Sequence, residues 1–156
     1  MGIVNSPSTY AGFPIGLEVA PCDVVLEIAA TVAIGDVVAI APAASLGNRF
    51  TTTQAPASDN ASIDDNEWGV FAVALEAATY DASTTTYAKF RVQGVVDAKI
   101  FGTPSKGAAV AARTNGDLAA PAAGNKILAF MMEDGVSGAT KQVLFDGLNG
   151  FGTKHT

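Results

Sequence analysis

The clearest regularity in the chain lies between Lys89 and Ile100. Phe90, Val92, Gly94, Val96, Ala98 and Ile100 alternate with Lys89, Arg91, Gln93, Asp97 and Lys99, and Val95 is the one apolar exception. Successive side chains of a strand point to opposite faces, so this run predicts a half-buried strand. A slip by one residue would carry Phe90 into water and Arg91 into the core, which pins the register. The run is long for a strand, and Gly94 is the expected place for a bend or bulge.

The same period recurs elsewhere. Val24, Leu26 and Ile28 alternate with Asp23, Val25 and Glu27. Ala33-Ile34-Gly35-Asp36 reads as a turn into a short strand, Val37 to Ile40, which Pro42 ends. From Gly69 to Glu76, Phe71, Val73 and Leu75 face one way and Val70, Ala72 and Ala74 the other. Both faces are apolar, which predicts a central strand. Lys126 to Met132 reads the same way, and Lys141 to Phe145 is the last strand, with Val143 and Phe145 on one face. Asn115-Gly116 predicts a hairpin between Ala108–Ala112 and Leu118–Ala120. Thr51 to Glu67 reads as a polar loop. The nearest helical candidate, Ala55 to Trp68, lacks an apolar stripe and a cap.

These elements predict an all-β fold, a compact antiparallel β-barrel or sandwich. It is preceded by an extended N-terminal arm over residues 1–22 and followed by a Gly-rich tail over 148–156, leaving 23–147 as the β domain. Pro7, Pro14 and Pro21 interrupt the arm, yet it carries Tyr10, Phe13, Ile15 and Leu17. Apolar groups of this size need cover, from the arm's own domain or from a neighbouring subunit.

The two halves of the β domain also rhyme, which suggests an internal pseudo-repeat. Gly35-Asp36-Val37-Val38-Ala39-Ile40 parallels Gly107-Ala108-Ala109-Val110-Ala111-Ala112. Gly69 to Glu76 parallels Lys126 to Glu133, and Phe90-Arg91-Val92-Gln93-Gly94 parallels Val143-Leu144-Phe145-Asp146-Gly147.

Composition narrows the function more than it names it. The 156 residues are 49% hydrophobic and 15% charged, against about 25% charged in an average soluble domain. This is not the signature of disorder. A net charge of −6 disfavours nucleic acid as a partner. The charge is lopsided: residues 1–81 hold ten acids and one base, and residues 82–156 hold five acids and eight bases. One cysteine, Cys22, excludes an intrachain disulfide and a Cys-based zinc cluster, and one histidine, His155, in the Gly/Thr-rich tail, argues against a His-dependent triad or a His-rich metal site. No uninterrupted apolar run is long enough to predict a membrane helix. The opening Met1-Gly2-Ile3-Val4-Asn5-Ser6 fits a myristoylation pattern, but no basic patch follows to supply a second membrane signal.

The chemical candidates are thin. Asp59, Asp64, Asp65 and Glu67 form an acidic cluster without EF-hand spacing, and read as a solvated loop. Asn60-Ala61-Ser62 is a glycosylation sequon, relevant only to a secreted eukaryotic chain. Ser137 lies in Gly135-Val136-Ser137-Gly138, which is not a nucleophile elbow, and only Lys141 is near in sequence to serve it. Glu133 and Asp134 read as turn residues, and residues 147–152 do not match a dinucleotide-binding glycine pattern. The reading is therefore a non-enzyme with no cofactor and no metal. Lys89, Arg91 and Lys99 share the outer face of the long strand. They form either an ordinary solvated face or a docking stripe for an acidic neighbour.

The order and spacing of these motifs resemble the small capsid decoration, or cement, proteins of tailed bacteriophages. The segments that carry the resemblance are Gly35 to Ile40, Gly69 to Leu75, Phe90 to Val96, Lys106 to Val110, Asn115 to Leu118 and Ile127 to Phe130. The resemblance implies a non-enzymatic virion protein on the outer surface of an icosahedral head. Its partners would be the major capsid protein and copies of itself, as a homotrimer or dimer, with no direct nucleic-acid or membrane contact. On that reading Tyr10, Phe13, Ile15, Leu17, Lys89, Arg91 and Lys99 are the candidate subunit or capsid contacts. Two alternatives belong to other classes: a β-rich adhesin or carbohydrate-binding module, for which the few aromatics give thin support, and a small hydrolase.

Overall fold

The computed structural model describes residues 21–42, 50–54, 70–113 and 115–153. These contain nine strands and no helix: β1 (Cys22–Ile28), β2 (Val37–Pro42), β3 (Phe50–Gln54), β4 (Val70–Ala74), β5 (Tyr87–Lys99), β6 (Ala109–Ala112), β7 (Leu118–Ala119), β8 (Ala129–Met131) and β9 (Thr140–Asp146). The fold is all-β, as the alternation predicts. The arm residues Tyr10, Phe13, Ile15 and Leu17, the helical candidate and the acidic cluster lie outside the described residues.

Two expectations need correction. The polar run from Thr51 does not begin as a loop, because Phe50–Gln54 is a strand. Its backbone pairs with β2 on one edge and with β1 on the other, and the β-branched Thr51, Thr52 and Thr53 suit that geometry. The strand expected from Lys126 to Met132 contracts to Ala129–Met131. Ile127 is diverted, donating to Gly152 O at 2.8 Å and accepting from Phe151 N at 2.8 Å. The Gly-rich run after β9 is thereby bound to the body: Phe71 N donates to Gly147 O at 2.9 Å, and Gly147 N donates to Val92 O at 2.8 Å.

The strands form two rings that share β5. The first runs β1-β3-β2-β4-β5 and closes where β5 pairs back with β1. The second runs from the C-terminal half of β5 through β9, β8, β6 and β7. It closes by a parallel bridge between Leu118 and Ile100, where Phe101 N donates to Leu118 O at 2.8 Å. Cys22 and Asp146 both pair with Gln93, so β1 leaves β5 where β9 joins it. The next residue is Gly94, at φ 120°. A Cβ there would lie 3.1 Å from Pro21 Cα.

The internal repeat is real in register. Val37↔Val73 in the first ring corresponds to Ala109↔Phe130 in the second, and Ala74↔Phe90 to Met131↔Val143. These are the residues that the sequence rhyme aligns. The structure adds a correspondence that the rhyme lacks: Val24↔Phe90 matches Val96↔Val143, and the parallel pair Ile28↔Thr52 matches Ile100↔Leu118. The first half of β5 is thus the last strand of one repeat, and its second half is the first strand of the next.

Each ring has its own core. Ile28, Val38, Ile40, Phe90 and Val92 fill the first, and Ile100, Val110, Leu128, Val143 and Phe145 fill the second. β2 and β4 serve both. Val38 and Ala72 face the first core, while Val37, Ala39, Phe71 and Val73 join the second. Burial on both faces is what their two-sided apolar pattern predicts.

Candidate interaction surface

The basic stripe of β5 is divided between the rings. Asp23 lies opposite Arg91 across the β1–β5 pair. Arg91 Nε donates to Asp23 Oδ1 at 2.7 Å and Nη2 to Oδ2 at 3.1 Å, a two-point grip. Nη1 donates to Val95 O at 2.7 Å and so spans the Gly94 bend. Lys89 Nζ stands 3.6 Å from the same carboxylate. The hydrogen bonds from Arg91, more than the attraction of the two cations, hold the Asp23 carboxyl below its ordinary pKa. Lys99 turns away to Asp36, at 3.6 Å. Asp36 is buried in the turn before β2, where its Oδ2 also accepts from Ala33 N at 2.9 Å.

Each of these three bases therefore has a carboxylate of its own chain. Sequence reasoning sees the bases on one strand but not their partners, because Asp23 lies 68 residues from Arg91. The signal that could have found them is the acidic residue on the outer face of the neighbouring alternating strand.

Glu133 and Asp134, expected in a turn, prove to be backbone clamps, and Glu76 at the end of the β4 run is another. Glu76 Oε1 accepts from Lys89 N at 2.8 Å, and Glu133 Oε1 accepts from Gln142 N at 2.9 Å. The two occupy the same place in the two repeats. The backbone bond from Gln142, with help from Lys141, lowers the pKa of Glu133. Asp134 Oδ1 accepts from Lys106 N at 2.8 Å. Ser137 Oγ accepts from Gly102 N at 3.2 Å, while Lys141 pairs with Glu133 at 3.4 Å, so the serine and the lysine have separate partners. Among the described residues no group of three or more His, Cys, Asp or Glu side chains could hold a metal ion.

The surface has two notable concavities. One, of about 340 Å³, lies at the ring junction and is lined by Ile34, Leu75, Arg91, Val95 and Gln142 among others. The larger, of about 570 Å³, lies on the second ring beside Phe101, Pro104, Ala111, Ala112, Arg113 and Ala119. Arg113 covers one face of Phe101, its guanidinium carbon 3.5 Å from the ring centroid, and reaches Asp117 at 3.7 Å. Phe101 remains 49% exposed. This groove is apolar with a cation–π wall.

No protein family matches the chain, and no curated protein matches it. Among solved structures the chain is similar to the head fiber gp8.5 N base in bacteriophage phi29, with a TM-score of 0.59 and 9% sequence identity. The match covers 88% of this chain and 100% of that one. What the two share is the fold.

Proposed function

We propose that this chain is a structural protein of a phage virion, associated with the head and exposed on its outer surface as a decoration or cement protein. The observation that carries the reading is the fold match, over 88% of this chain, to a head fiber base at 9% identity. The spacing of the strand motifs, read from the sequence alone, points to the same kind of protein.

The physics is compatible with a bracing role. Both rings close on themselves, so the body can bear load without offering long open strand edges. Many copies bound to one lattice gain from multivalency even where each contact is weak. The role needs no chemical step, and the carboxylates described above are engaged by backbone amides or by cationic side chains of the same chain. The partner on this reading is the shell protein of the head, with further copies of the chain beside it.

The test is binding to heads. Purified chain is mixed with particles of its own phage assembled without it, and the particles are sedimented and then heated. Saturable co-sedimentation and a higher temperature of DNA release are expected. Absence of binding to such heads would remove the reading. Binding without stabilisation would leave a head-associated protein that is not a cement.

A further inference from the structure

The second ring closes on the parallel bridge between Ile100 and Leu118, and the ladder then opens. Beyond β5 the backbone alternates its partners. Ile100 N donates to Ala139 O at 2.9 Å, Gly138 N to Ile100 O at 2.8 Å, Gly102 N to Ser137 Oγ at 3.2 Å and Gly135 N to Pro104 O at 2.7 Å. The even positions thus face the turn between β8 and β9. The odd positions face β7, where Phe101 N donates to Leu118 O at 2.8 Å. A parallel ladder would continue with Ala120 N on Phe101 O and Thr103 N on Ala120 O. Neither bond forms, and among the described residues nothing else answers these groups. Phe101, Thr103 and Ala120 are all exposed. The groove of about 570 Å³ lies in this gap, because residues of both lips line it.

Two open strand lips are matched by an extended polypeptide, because a backbone offers N–H and C=O groups at the period of a strand. Ala111, Ala112 and Ala119 leave room between the lips for a large side chain. Arg113 is the charged residue of the lining, and Asp117 balances it at 3.7 Å, so the groove suits an uncharged segment. The chain itself carries one. Residues 1–20 hold a single charged side chain, Glu18, and Pro7 and Pro14 interrupt any helix there. Between these prolines, residues 8–13 keep every N–H and include Tyr10 and Phe13, which need cover. The arm leaves the body at Pro21, which packs on Gly94: a Cβ at Gly94 would lie 3.1 Å from Pro21 Cα. From Gly94 to Phe101 an extended chain covers about 23 Å. From Phe13 to Pro21 it reaches up to about 26 Å, and from Leu17 only about 14 Å. Residues 8–13 can therefore reach the groove of their own body.

We propose that residues 8–13 of the arm add as a strand to the open ladder of the same chain, between Phe101 and Thr103 on one lip and Ala120 on the other, with Tyr10 over the alanines. The arm then satisfies the open backbone groups, and the groove covers the arm's apolar side chains. This docking is independent of any role in a virion.

The test is hydrogen exchange in the full chain, followed amide by amide by NMR. Thr103 and Ala120 are expected to exchange at least about 100-fold more slowly than unstructured amides, equally at about 20 and about 500 μM chain. Tyr10→Asp combined with Ala11→Pro is expected to return both to the fast rate while the amides of β5 and β9 stay protected. Fast exchange in the parent overturns the inference, whatever the variant does. Protection that the variant leaves intact overturns it too. Protection that grows with concentration assigns the groove to the arm of another copy and overturns the docking within one chain. If the variant fails to fold, a disulfide decides. In a Cys22→Ser background, Ala11→Cys with Ala120→Cys is expected to oxidise within one chain, and Ala11→Cys with Thr85→Cys, on the first ring, is not. Bridging of the second pair in preference to the first overturns the inference.

Discussion

Arg91 and Asp23 meet in a two-point ion pair at 2.7 and 3.1 Å, and the third nitrogen of the same guanidinium holds Val95 O beyond the Gly94 bend. One side chain thus ties β1 to the place where β5 passes from the first ring to the second. The two side chains are 22% and 23% exposed, so solvent screens the pair only in part. Arg91→Ala is expected to cost about 1–2 kcal/mol, from the lost charge-assisted bonds and the uncapped carbonyl. Arg91→Lys should not restore it, because an ammonium cannot bond the three oxygens in this planar arrangement. Urea unfolding of the three proteins checks both statements.

The same pair sets part of the acid response. Asp23 has a folded pKa below its unfolded value. Its contribution is therefore complete above the unfolded value, about 3.9, and is lost as pH falls through the depressed folded value. Glu133, whose pKa is also lowered, acts in the same direction. The unfolding midpoint should fall below about pH 4, and Asp23→Asn should fall less steeply than the parent. Equal slopes for the two proteins would remove Asp23 from the acid response.

Gly147 has no space for a side chain. A Cβ there would lie 1.8 Å from Phe71 O and 2.7 Å from Phe145 Cε1. Gly147→Ala must push β9 away from β4, with an expected cost of about 3 kcal/mol or more. Gly138, at φ 82°, has nothing within 4 Å of a built Cβ, so Gly138→Ala should cost only the left-handed strain, about 1 kcal/mol. Thermal unfolding of the pair separates crowding from backbone conformation.

The two rings should unfold together. Val37, Ala39, Phe71 and Val73 of the first repeat sit in the core of the second, and β5 runs through both. Ile28→Ala and Ile100→Ala, one in each core, are each expected to cost about 2–4 kcal/mol. Both should keep a single transition, seen alike by circular dichroism and by hydrogen exchange at amides of either ring. Two separated transitions in either variant would show independent rings.

Local pattern determined much of this protein. The alternation from Phe90 to Ile100, the two-sided apolar run of β4 and the Asn115-Gly116 hairpin became strands and a turn close to where they were read. The rhyme of Gly35 with Gly107, and of Glu76 with Glu133, marked residues that hold the same bonds in the two repeats. These features are legible because burial imposes a period on a strand, and because a duplicated strand order repeats its pattern.

What only the tertiary structure decided is where one repeat ends and the next begins. Side-chain alternation runs unbroken through Gly94, so one continuous pattern conceals two strands of two rings. The partners of Arg91 and Lys99 were equally hidden, because Asp23 and Asp36 come near only when the chain closes. Pairing between distant strands depends on which edges meet in space, and the period of a single strand carries no record of its neighbour.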